Sequence, residues 1–418
     1  MSAALEDAPT LGDQIARELG TDRVRTPNEI ERIAAQTIVE PHSAEEISAI
    51  IRKCEADKIS LAPLGAARTL AQIRRSPAQI GISLGRMASI VAYEPEDMTV
   101  VTQAGLTIGD LNATLATRGQ RLPVDPRDPG ATTLGSLIAA AHAGPLRLSE
   151  GTVRDLLIGI QFVGHGGRLI RAGGRVVKNV AGYDLMKVLT GSFGTLGILT
   201  EACFKVRPIP ENYTLAVATF PDADAAFAAA STLHDQVPLI HLEVASPGAG
   251  TAIGTAARFV VLAGFGGIRS ELAYQSDRIA SVLGPTIEMF DGDRALELYC
   301  SLRDLSFGDD AIAARMAVLP NALARCARES SAEFSAHIGS GIGELSTRAA
   351  DPRVVARWRE IAHSARGHLR VVSAPASIRS QIEFFDRPNP GAFKLMQRLK
   401  STFDPAGIFN PGCFVGAL

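Results

Sequence analysis

The sequence lacks paired cysteines, an excess of charge of one sign and long hydrophobic runs, and each absence excludes a class of protein. Its five cysteines are scattered without a C-x-x-C pair, which excludes a local iron–sulfur or zinc motif and a disulfide framework. The formal net charge of −2 argues against a nucleic-acid-binding protein, which usually shows a basic excess. No apolar run approaches the roughly 20 residues that span a membrane, and the acidic N-terminal segment has no signal pattern. We therefore predict a cytoplasmic protein that reaches a membrane only through a partner.

The residues that are present are typical of a globular protein with a sizeable core. Hydrophobic residues make up 46% of the 418 residues and charged residues 21%, and this length suits two domains. Residues 1–40 have a polar, helical pattern and form a predicted N-terminal helical extension. The segment Arg207-Pro208-Ile209-Pro210 is the best domain boundary. Beyond it, alanine-rich helical stretches alternate with short apolar runs, which indicates an α+β layer. No internal repeat is visible.

Three glycine-bearing loops in the first half of the chain suggest a phosphate-bearing cofactor. They are Pro63–Thr69, Ala131–Gly135 with its following helix, and Gly191–Gly197. Glycine lets the backbone approach an anion closely, and backbone N–H groups then donate hydrogen bonds to it. The third loop has the spacing G-x-x-G-x-x-G and is followed by a strand, which excludes a Rossmann dinucleotide site. Taken alone, each loop is also compatible with a plain turn.

Two longer blocks carry a more specific signal. The first runs from Gly173-Gly174-Arg175-Val176-Val177-Lys178-Asn179 through Gly191-Ser192-Phe193-Gly194-Thr195-Leu196-Gly197 to Glu201, and the second is Phe403-Asp404-Pro405-Ala406-Gly407-Ile408-Phe409-Asn410-Pro411-Gly412. Together they resemble the FAD-binding (PCMH-type) domain of the vanillyl-alcohol-oxidase superfamily. Within it, they are most similar to the smaller FAD-binding subunits of bacterial glycolate oxidases. The resemblance covers residues 40–210 and resumes near residue 391.

This resemblance implies a fold class, a cofactor and partners. The fold would be α+β, with a PCMH-type FAD-binding domain of two α+β subdomains at 41–210, a ferredoxin-like α+β cap at 211–390, and a segment at 391–418 that returns to the FAD domain. FAD would be bound non-covalently, because the first loop has no histidine to tether it. The partners would be a larger FAD-linked subunit and an iron–sulfur subunit, and through this complex the chain would be peripheral to the inner membrane. The substrate would be a small 2-hydroxy acid, with glycolate oxidised to glyoxylate.

The resemblance also assigns residues to the cofactor. The pyrophosphate would contact the first loop, at Pro63, Gly65, Ala66, Ala67, Arg68 and Thr69. The flavin and ribityl chain would contact Asp128, Ala131, Thr132, Leu134, Gly135, Gly144, Arg147 and Gly151. Adenine or ribose would contact Gly194, Thr195, Gly197 and Ile198, and Asn410 would lie near the isoalloxazine ring. The first loop departs from the usual P-x-G-x-G-[TS] pattern. Its alanines cost conformational freedom wherever φ must be positive, and Arg68 compensates in part through charge-assisted contacts to phosphate.

Oxidation of a 2-hydroxy acid needs a base for the hydroxyl proton and a cation for the carboxylate. His337, in a glycine-bearing turn of the expected cap, is the candidate base, with a structural histidine as the alternative. Arg175 and Lys178 are candidate anion ligands near the flavin, with a surface ion pair as the alternative. No cluster has the spacing of metal ligands, so we expect no metal.

Three functions remain open at this point. The first is the FAD-binding subunit of a glycolate oxidase-like complex. The second is a free-standing FAD-dependent D-2-hydroxyacid dehydrogenase, which the lack of an obvious histidine–arginine cluster disfavours. The third is a non-catalytic assembly subunit with a degenerate flavin site, which the alanines of the first loop favour.

Overall fold

The structure is a computed structural model that describes residues 11–74, 76–175, 183–255, 257–305, 308 and 310–418. Among these residues, no helix combines the length and the apolar character needed to cross a membrane.

The N-terminal region, residues 11–210, contains two sheets of different kinds. Its strands are β1 (Val24–Arg25), β2 (Ala35–Val39), β3 (Leu61–Leu64), β4 (Ala78–Ser83), β5 (Ile90–Glu94), β6 (Thr99–Gln103), β7 (Gln120–Arg121), β8 (Leu157–Gly164), β9 (Arg168–Gly173), β10 (Ile198–Lys205) and β11 (Arg207–Pro208). The first sheet has the order β1-β2-β4-β3 and is parallel except for β1. The second has the order β5-β6-β10-β8-β9 and is antiparallel, and β7 pairs with β11. Two α+β layers were expected here, and this arrangement has them.

The helices of this region are short, and their ends follow local sequence signals. They are α1 (Leu11–Leu19), α2 (Glu29–Ala34), α3 (Ala44–Asp57), α4 (Arg68–Ile73), α5 (Ile108–Ala116), α6 (Leu134–Ala140), α7 (Arg147–Glu150), α8 (Val153–Leu156) and α9 (Leu185–Leu189). The side chain of Ser43 accepts a hydrogen bond from the Glu46 N–H group at 3.2 Å and begins α3. Ile47, Ile51 and Cys54 are fully buried on the inner face of this helix, so its period of 3.6 residues matches its packing.

The predicted N-terminal helical extension is wrong in part. Residues 35–39 form strand β2, which lies between β1 and β4 inside the first sheet. Three of its residues, Ala35, Ile38 and Val39, are fully buried. A segment with β-branched residues is more stable as a strand than as a helix when strands pair with it on both edges. The local sequence of this segment does not reveal those two neighbouring strands.

The C-terminal region contains one eight-stranded antiparallel sheet, the large sheet. Its strands are β12 (Asn212–Phe220), β13 (His241–Ala245), β14 (Phe259–Gly267), β15 (Ile287–Asp291), β16 (Ile312–Ala317), β17 (Glu333–His337), β18 (Ile342–Thr347) and β19 (His368–Ser373). Its helices are α10 (Ala223–Gln236), α11 (Pro247–Ala252), α12 (Arg269–Leu283), α13 (Gly292–Arg303), α14 (Leu323–Ser330), α15 (Pro352–Ser364) and, after the last strand, α16 (Pro390–Phe403).

The order of this sheet, β15-β12-β14-β13-β17-β18-β16-β19, contains two ferredoxin-like repeats. Each repeat follows the path β-α-β-β-α-β and has the strand order 4-1-3-2. The first is built from β12 to β15 with α10 and α12, and the second from β16 to β19 with α14 and α15. The second strand of each repeat, β13 and β17, pair with each other and join the repeats along a seam. The expected ferredoxin-like cap is therefore two such units in one sheet.

The two faces of the large sheet have different chemistry. One face is apolar and packs against α10, α12, α14 and α15. On the other face, alternate residues of the central strands are polar or charged, as the two-residue period of a strand requires. We call this set the polar sheet face, and it consists of His241, Glu243, Arg315, Ser335, His337, Glu344 and Arg370. It faces the N-terminal region, because Arg315 donates to the Ala143 carbonyl at 2.8 Å and Arg370 to the Ala140 carbonyl at 3.3 Å.

The end of the chain returns to the N-terminal region and is fixed by one buried ion pair. Lys400 Nζ contacts the Asp404 carboxylate at 2.6 Å and donates to the carbonyls of Thr195 and Phe409, each at 2.8 Å. The same carboxylate accepts from the N–H groups of Ile408 and Phe409 at 3.0 and 2.9 Å. Beyond it, Phe409 forms a parallel bridge with Leu61 of β3. The pair thus attaches the C-terminal turn to the first sheet.

We predict that Asp404→Ala lowers the free energy of unfolding by about 3–5 kcal/mol, because it leaves the buried Lys400 ammonium without a counter-ion and two buried N–H groups without an acceptor. Urea unfolding measures this loss. The control is Glu297→Ala, which removes an exposed pair with Arg294 and should cost no more than about 1 kcal/mol. Equal losses in the two variants would contradict the prediction.

Candidate functional site

The structure brings the three glycine-bearing loops together. A Cβ atom on Gly65 of the first loop would lie 2.6 Å from Thr133 Oγ1, just before α6, and one on Gly194 would lie 2.8 Å from Pro63. The Arg68 guanidinium of the first loop forms an ion pair with Asp128 of the second. The glycines are therefore needed for close contact between the loops.

The loops differ in what they offer a ligand. In the first loop, the N–H groups of residues 65–68 have no hydrogen-bond acceptor within the described part of the chain. In the second, the N–H groups of Ala131 and Thr132 donate to the Asp128 carbonyl, and those of Leu134 and Gly135 donate to two carbonyls of the turn after β6 at 2.9 and 2.8 Å. Free donors for an anion therefore lie in the first loop.

The first loop has an unfavourable backbone conformation at one alanine. Ala67 is buried and has φ 57° and ψ −9°, in the left-handed region. The expectation that an alanine stands where φ must be positive is confirmed at this residue. Asp128 and Phe193 of the neighbouring loops also have positive φ, at 47° and 54°. Such conformations cost about 1–2 kcal/mol for a residue with a Cβ atom, so surrounding contacts must hold them in place.

The third loop is interior. Residues 192–198 are buried, the Thr195 carbonyl accepts from Lys400, and the Phe193 carbonyl accepts from the Asn410 side-chain amide at 2.6 Å. The Asn410 side chain is fully buried and its oxygen also accepts from Arg74. The contacts of Gly194, Thr195, Gly197, Ile198 and Asn410 with FAD stay predictions.

A small cavity of about 30 Å³ lies where the polar sheet face meets the N-terminal region. Its polar lining includes Asp125, Arg127, Arg315, His337 and Glu344, together with the backbone at Gly144. His337 and Gly144, predicted from sequence for different reasons, therefore share one cavity. Gly151 lies at the end of α7 next to the Asp155 carboxylate and is not part of this lining.

Three arginines make this junction electrically positive. Arg315 and Arg127 both contact Glu344, at 2.5 and 3.7 Å. Arg370 lies beside Arg315 in the register of β16 and β19 and stacks over the Phe193 ring at 5.6 Å. Burial and the neighbouring Arg315 lower the pKa of Arg370 to about 10, so that it remains charged at neutral pH.

The pKa values of three neighbouring groups are shifted by the same positive potential. Burial first, and then Arg370, Arg315 and Arg127, lower the pKa of His142 to about 3. Burial raises the pKa of Glu344, but Arg315 and Arg127 more than offset that effect and bring it to about 2. Burial and then Arg315 also lower the pKa of Arg147. One carboxylate is thus shared by several guanidinium groups, and an additional small anion would be stabilised here.

A second set of buried polar groups crosses the seam of the large sheet. Glu243 accepts from His241 Nδ1 at 2.7 Å and lies 3.3 Å from His337 Nδ1. The Tyr213 hydroxyl is 2.8 Å from His241 Nε2. Next to them, the Tyr299 hydroxyl of α13 donates at 2.6 Å to Asp125, which also accepts from the N–H groups of residues 144 and 146.

The sequence analysis missed most of these side chains. Arg315, Arg370, Glu344, Glu243 and Asp125 were not selected, although a signal was present. In His241-Leu-Glu-Val-Ala and Glu333-Phe-Ser-Ala-His, polar residues occupy every second position of an apolar strand, which indicates one polar face. Of the two predicted anion ligands, Arg175 forms an exposed contact with Glu94 at 3.8 Å, as its alternative predicted. Lys178 lies outside the described residues.

Two segments of the chain match families of known proteins. Residues 35–173 match the family described as FAD binding domain, and residues 381–413 match FAD linked oxidases, C-terminal domain. The chain is 33% identical to a mitochondrial cytochrome D-lactate dehydrogenase of Arabidopsis thaliana over 50% of this chain and 36% of that protein. It is 41% identical to the glycolate oxidase subunit GlcE of Escherichia coli (strain K12) over 29% of this chain and 35% of that protein. The chain thus spans about a third of each of these relatives.

Among solved structures, the chain is similar to the 4-ethylphenol oxidase of Gulosibacter chungangensis, with a TM-score of 0.71 and 16% identity over 95% of each chain. The two proteins share a fold.

The first loop fits the pyrophosphate of FAD, because its four consecutive N–H groups without an acceptor in the described part of the chain, together with Arg68, are donors that an anion requires.

We predict that Ala67→Gly raises the free energy of unfolding by about 0.5–1 kcal/mol, because glycine adopts a positive φ without the steric cost of a Cβ atom. The matched control is Ala66→Gly. Ala66 has no positive φ, and this change should lower stability by about 0.5–1 kcal/mol through chain entropy. Thermal and urea unfolding report both values; the same sign for both variants would be evidence against strain at Ala67.

We further predict that Asp125 makes the free energy of unfolding depend on pH. Burial raises the pKa of this carboxyl to about 6 from an ordinary value of 3.8. Between these values the folded protein binds a proton that the unfolded chain does not bind, so stability should fall as the pH rises through this window, by about 1–3 kcal/mol. Unfolding followed across this range should show the decrease in the wild type and in the exposed control Asp235→Asn, but not in Asp125→Asn. A decrease that persists in Asp125→Asn would assign it to another group.

Proposed function

We propose that this chain is the FAD-binding subunit of a glycolate oxidase-like complex that oxidises glycolate, or a closely related 2-hydroxy acid, at its CH–OH group. Its matches to the FAD binding domain and to the C-terminal domain of FAD linked oxidases support this proposal. A larger FAD-linked subunit and an iron–sulfur subunit are the proposed partners. The similarity to a glycolate oxidase subunit supports this assignment.

One observation carries the proposal: His337 and the guanidinium groups of Arg127, Arg303 and Arg315 line one cavity where the large sheet meets the N-terminal region. Arg315 and Arg370 lie on adjacent strands at matching positions, and Arg127 faces them across the junction. A substrate carboxylate would be held by these charges. His337 lines the same cavity and would be the base for the substrate hydroxyl.

The side chains would divide the work as follows. The arginines bind and orient the carboxylate, and charge-assisted hydrogen bonds to it are worth about 1.5–3 kcal/mol each. His337 would take the hydroxyl proton as the C–H electron pair leaves the substrate carbon as a hydride. Bound FAD would supply the hydride acceptor. The low pKa of His142 keeps this neighbour neutral, so it does not compete with the arginines for the anion.

A free-standing D-2-hydroxyacid dehydrogenase is the second candidate. It is favoured by the fact that the polar sheet face and the loops opposite it come from one chain, and by similarity to a D-lactate dehydrogenase. The two candidates differ in one test. Turnover of the purified chain with an artificial electron acceptor at a rate that added partner subunits do not raise would favour the self-sufficient enzyme, and a rate that depends on those subunits would favour the complex. A degenerate assembly subunit would show neither turnover nor flavin binding.

We predict that the purified protein, reconstituted with FAD, shows flavin absorption near ~450 nm that glycolate or D-lactate bleaches under anaerobic conditions, because the bound flavin accepts the hydride. Arg370→Met should raise the KM for the acid roughly 10- to 100-fold through the loss of one charge-assisted contact. In the described structure, the Arg370 guanidinium contacts a backbone carbonyl and the Phe193 ring. The substitution therefore breaks no short ion pair with a carboxylate.

The control is Arg325→Met, which removes an exposed arginine at 3.7 Å from Glu329 and should leave KM unchanged. A protein that stays colourless after addition of FAD, or a bound flavin that no 2-hydroxy acid bleaches, would contradict the proposed function.

A further inference from the structure

Glu243 lies between two histidines at the seam of the two ferredoxin-like repeats. In the register of β13 and β17 it stands opposite His337, and it is two residues from His241 on its own strand. One carboxylate oxygen is 2.7 Å from His241 Nδ1 and the other is 3.3 Å from His337 Nδ1. Both His241 and Glu243 are fully buried, so solvent does not screen these contacts.

The charge state of Glu243 fixes the direction of both hydrogen bonds. Burial raises the pKa of Glu243, but His241 and His337 more than offset this effect, so its pKa lies below the ordinary value. An ionised carboxylate only accepts hydrogen bonds. Both histidines therefore carry a proton on Nδ1, and in a neutral imidazole the other nitrogen, Nε2, is then the acceptor.

The hydrogen bond between Tyr213 and His241 is consistent with a proton on His241 Nδ1. Burial, and then the charge of Glu243, raise the pKa of the Tyr213 phenol far above its ordinary value. The hydroxyl is therefore protonated and donates to His241 Nε2 at 2.8 Å. Tyr213 donates to His241 and His241 donates to Glu243, so this directed sequence ends at the carboxylate, which His337 reaches from the other side. Within the described part of the chain, the other charged groups that line the cavity of His337 are Asp125, Arg127, Arg303, Arg315 and Glu344.

We propose that Glu243 is a positioning residue that holds His337 in the tautomer whose Nε2 accepts the substrate hydroxyl proton, with His241 and Tyr213 fixing the carboxylate from the other side. This inference rests on the proposed function. In the step that it serves, the substrate O–H bond breaks and its proton forms the N–H bond on Nε2. The C–H bond breaks at the same carbon, its electron pair leaves as a hydride to FAD, and a carbonyl remains.

The decisive variant is Glu243→Gln. A carboxylate accepts from both histidines, but an amide accepts from one and must donate to the other. One of the two Nδ1 atoms would then lose its proton to Nε2. Glu243→Asp keeps an acceptor-only group and serves as the conservative rescue. Glu297→Gln, on the exposed face of α13, is the matched control.

The measurement is imidazole ¹⁵N NMR on the full FAD-loaded chain with ¹⁵N-labelled histidine, combined with glycolate-dependent bleaching of the flavin. We expect Nδ1-protonated His241 and His337 in the wild type and in Glu297→Gln. In Glu243→Gln, one histidine should change tautomer and the rate of bleaching should fall by roughly 10²–10⁴-fold, the usual contribution of a general base. Glu243→Asp should keep both tautomers and most of the rate.

Two results would overturn the inference: a proton on Nε2 of His337 in the wild type, or unchanged tautomers in Glu243→Gln. The first needs no variant, so it decides the matter even where Glu243→Gln does not fold. Failure of the proposed function is recognised separately. In that case no acid bleaches the wild-type flavin, and the tautomer result still decides whether Glu243 orients His337.

Discussion

The structure depends on one constraint: a row of ionisable side chains is buried between two layers, and each must be compensated there. The polar sheet face lies against the end of α6 and the loop that follows it, so that Arg315 and Arg370 bond backbone carbonyls of that segment. A buried charge without a partner costs several kcal/mol, so the large sheet and the N-terminal region have a defined relative position. The same burial creates the positive potential and the directed hydrogen bonds of the candidate site.

The repeat architecture explains why the site lies where it does. Each ferredoxin-like repeat covers one face of its strands with its own helices. The other face of the first repeat is covered by α11 and α13, and that of the second is left for the FAD-binding loops. His241, Glu243 and His337 lie on the seam between these two environments. They thus lie beside the junction with the N-terminal region, and His241 and Glu243 are shielded from water.

Much of the fold could be predicted from the sequence, because local signals and family motifs agree. The α+β class, the FAD domain and the ferredoxin-like topology are confirmed. Strand β2 was misread as helix, since its pairing on both edges is a property of distant residues. The duplication was also missed. Two repeats keep the same topology through the spacing of apolar residues alone, and the identities of those residues are free to diverge.

The sequence by itself determined the cofactor class, because two long motifs with fixed spacing are specific, and it selected His337 as a candidate base. It also placed an alanine where the first loop needs a positive φ, as Ala67 has. Only the tertiary structure decided which side chains accompany His337. Arg127, Glu243, Arg315 and Arg370 come from separate segments, and the alternation of a strand shows at most that one of its faces is polar. Their role follows from strand register and burial, which bring distant residues into a medium where unscreened charges interact strongly.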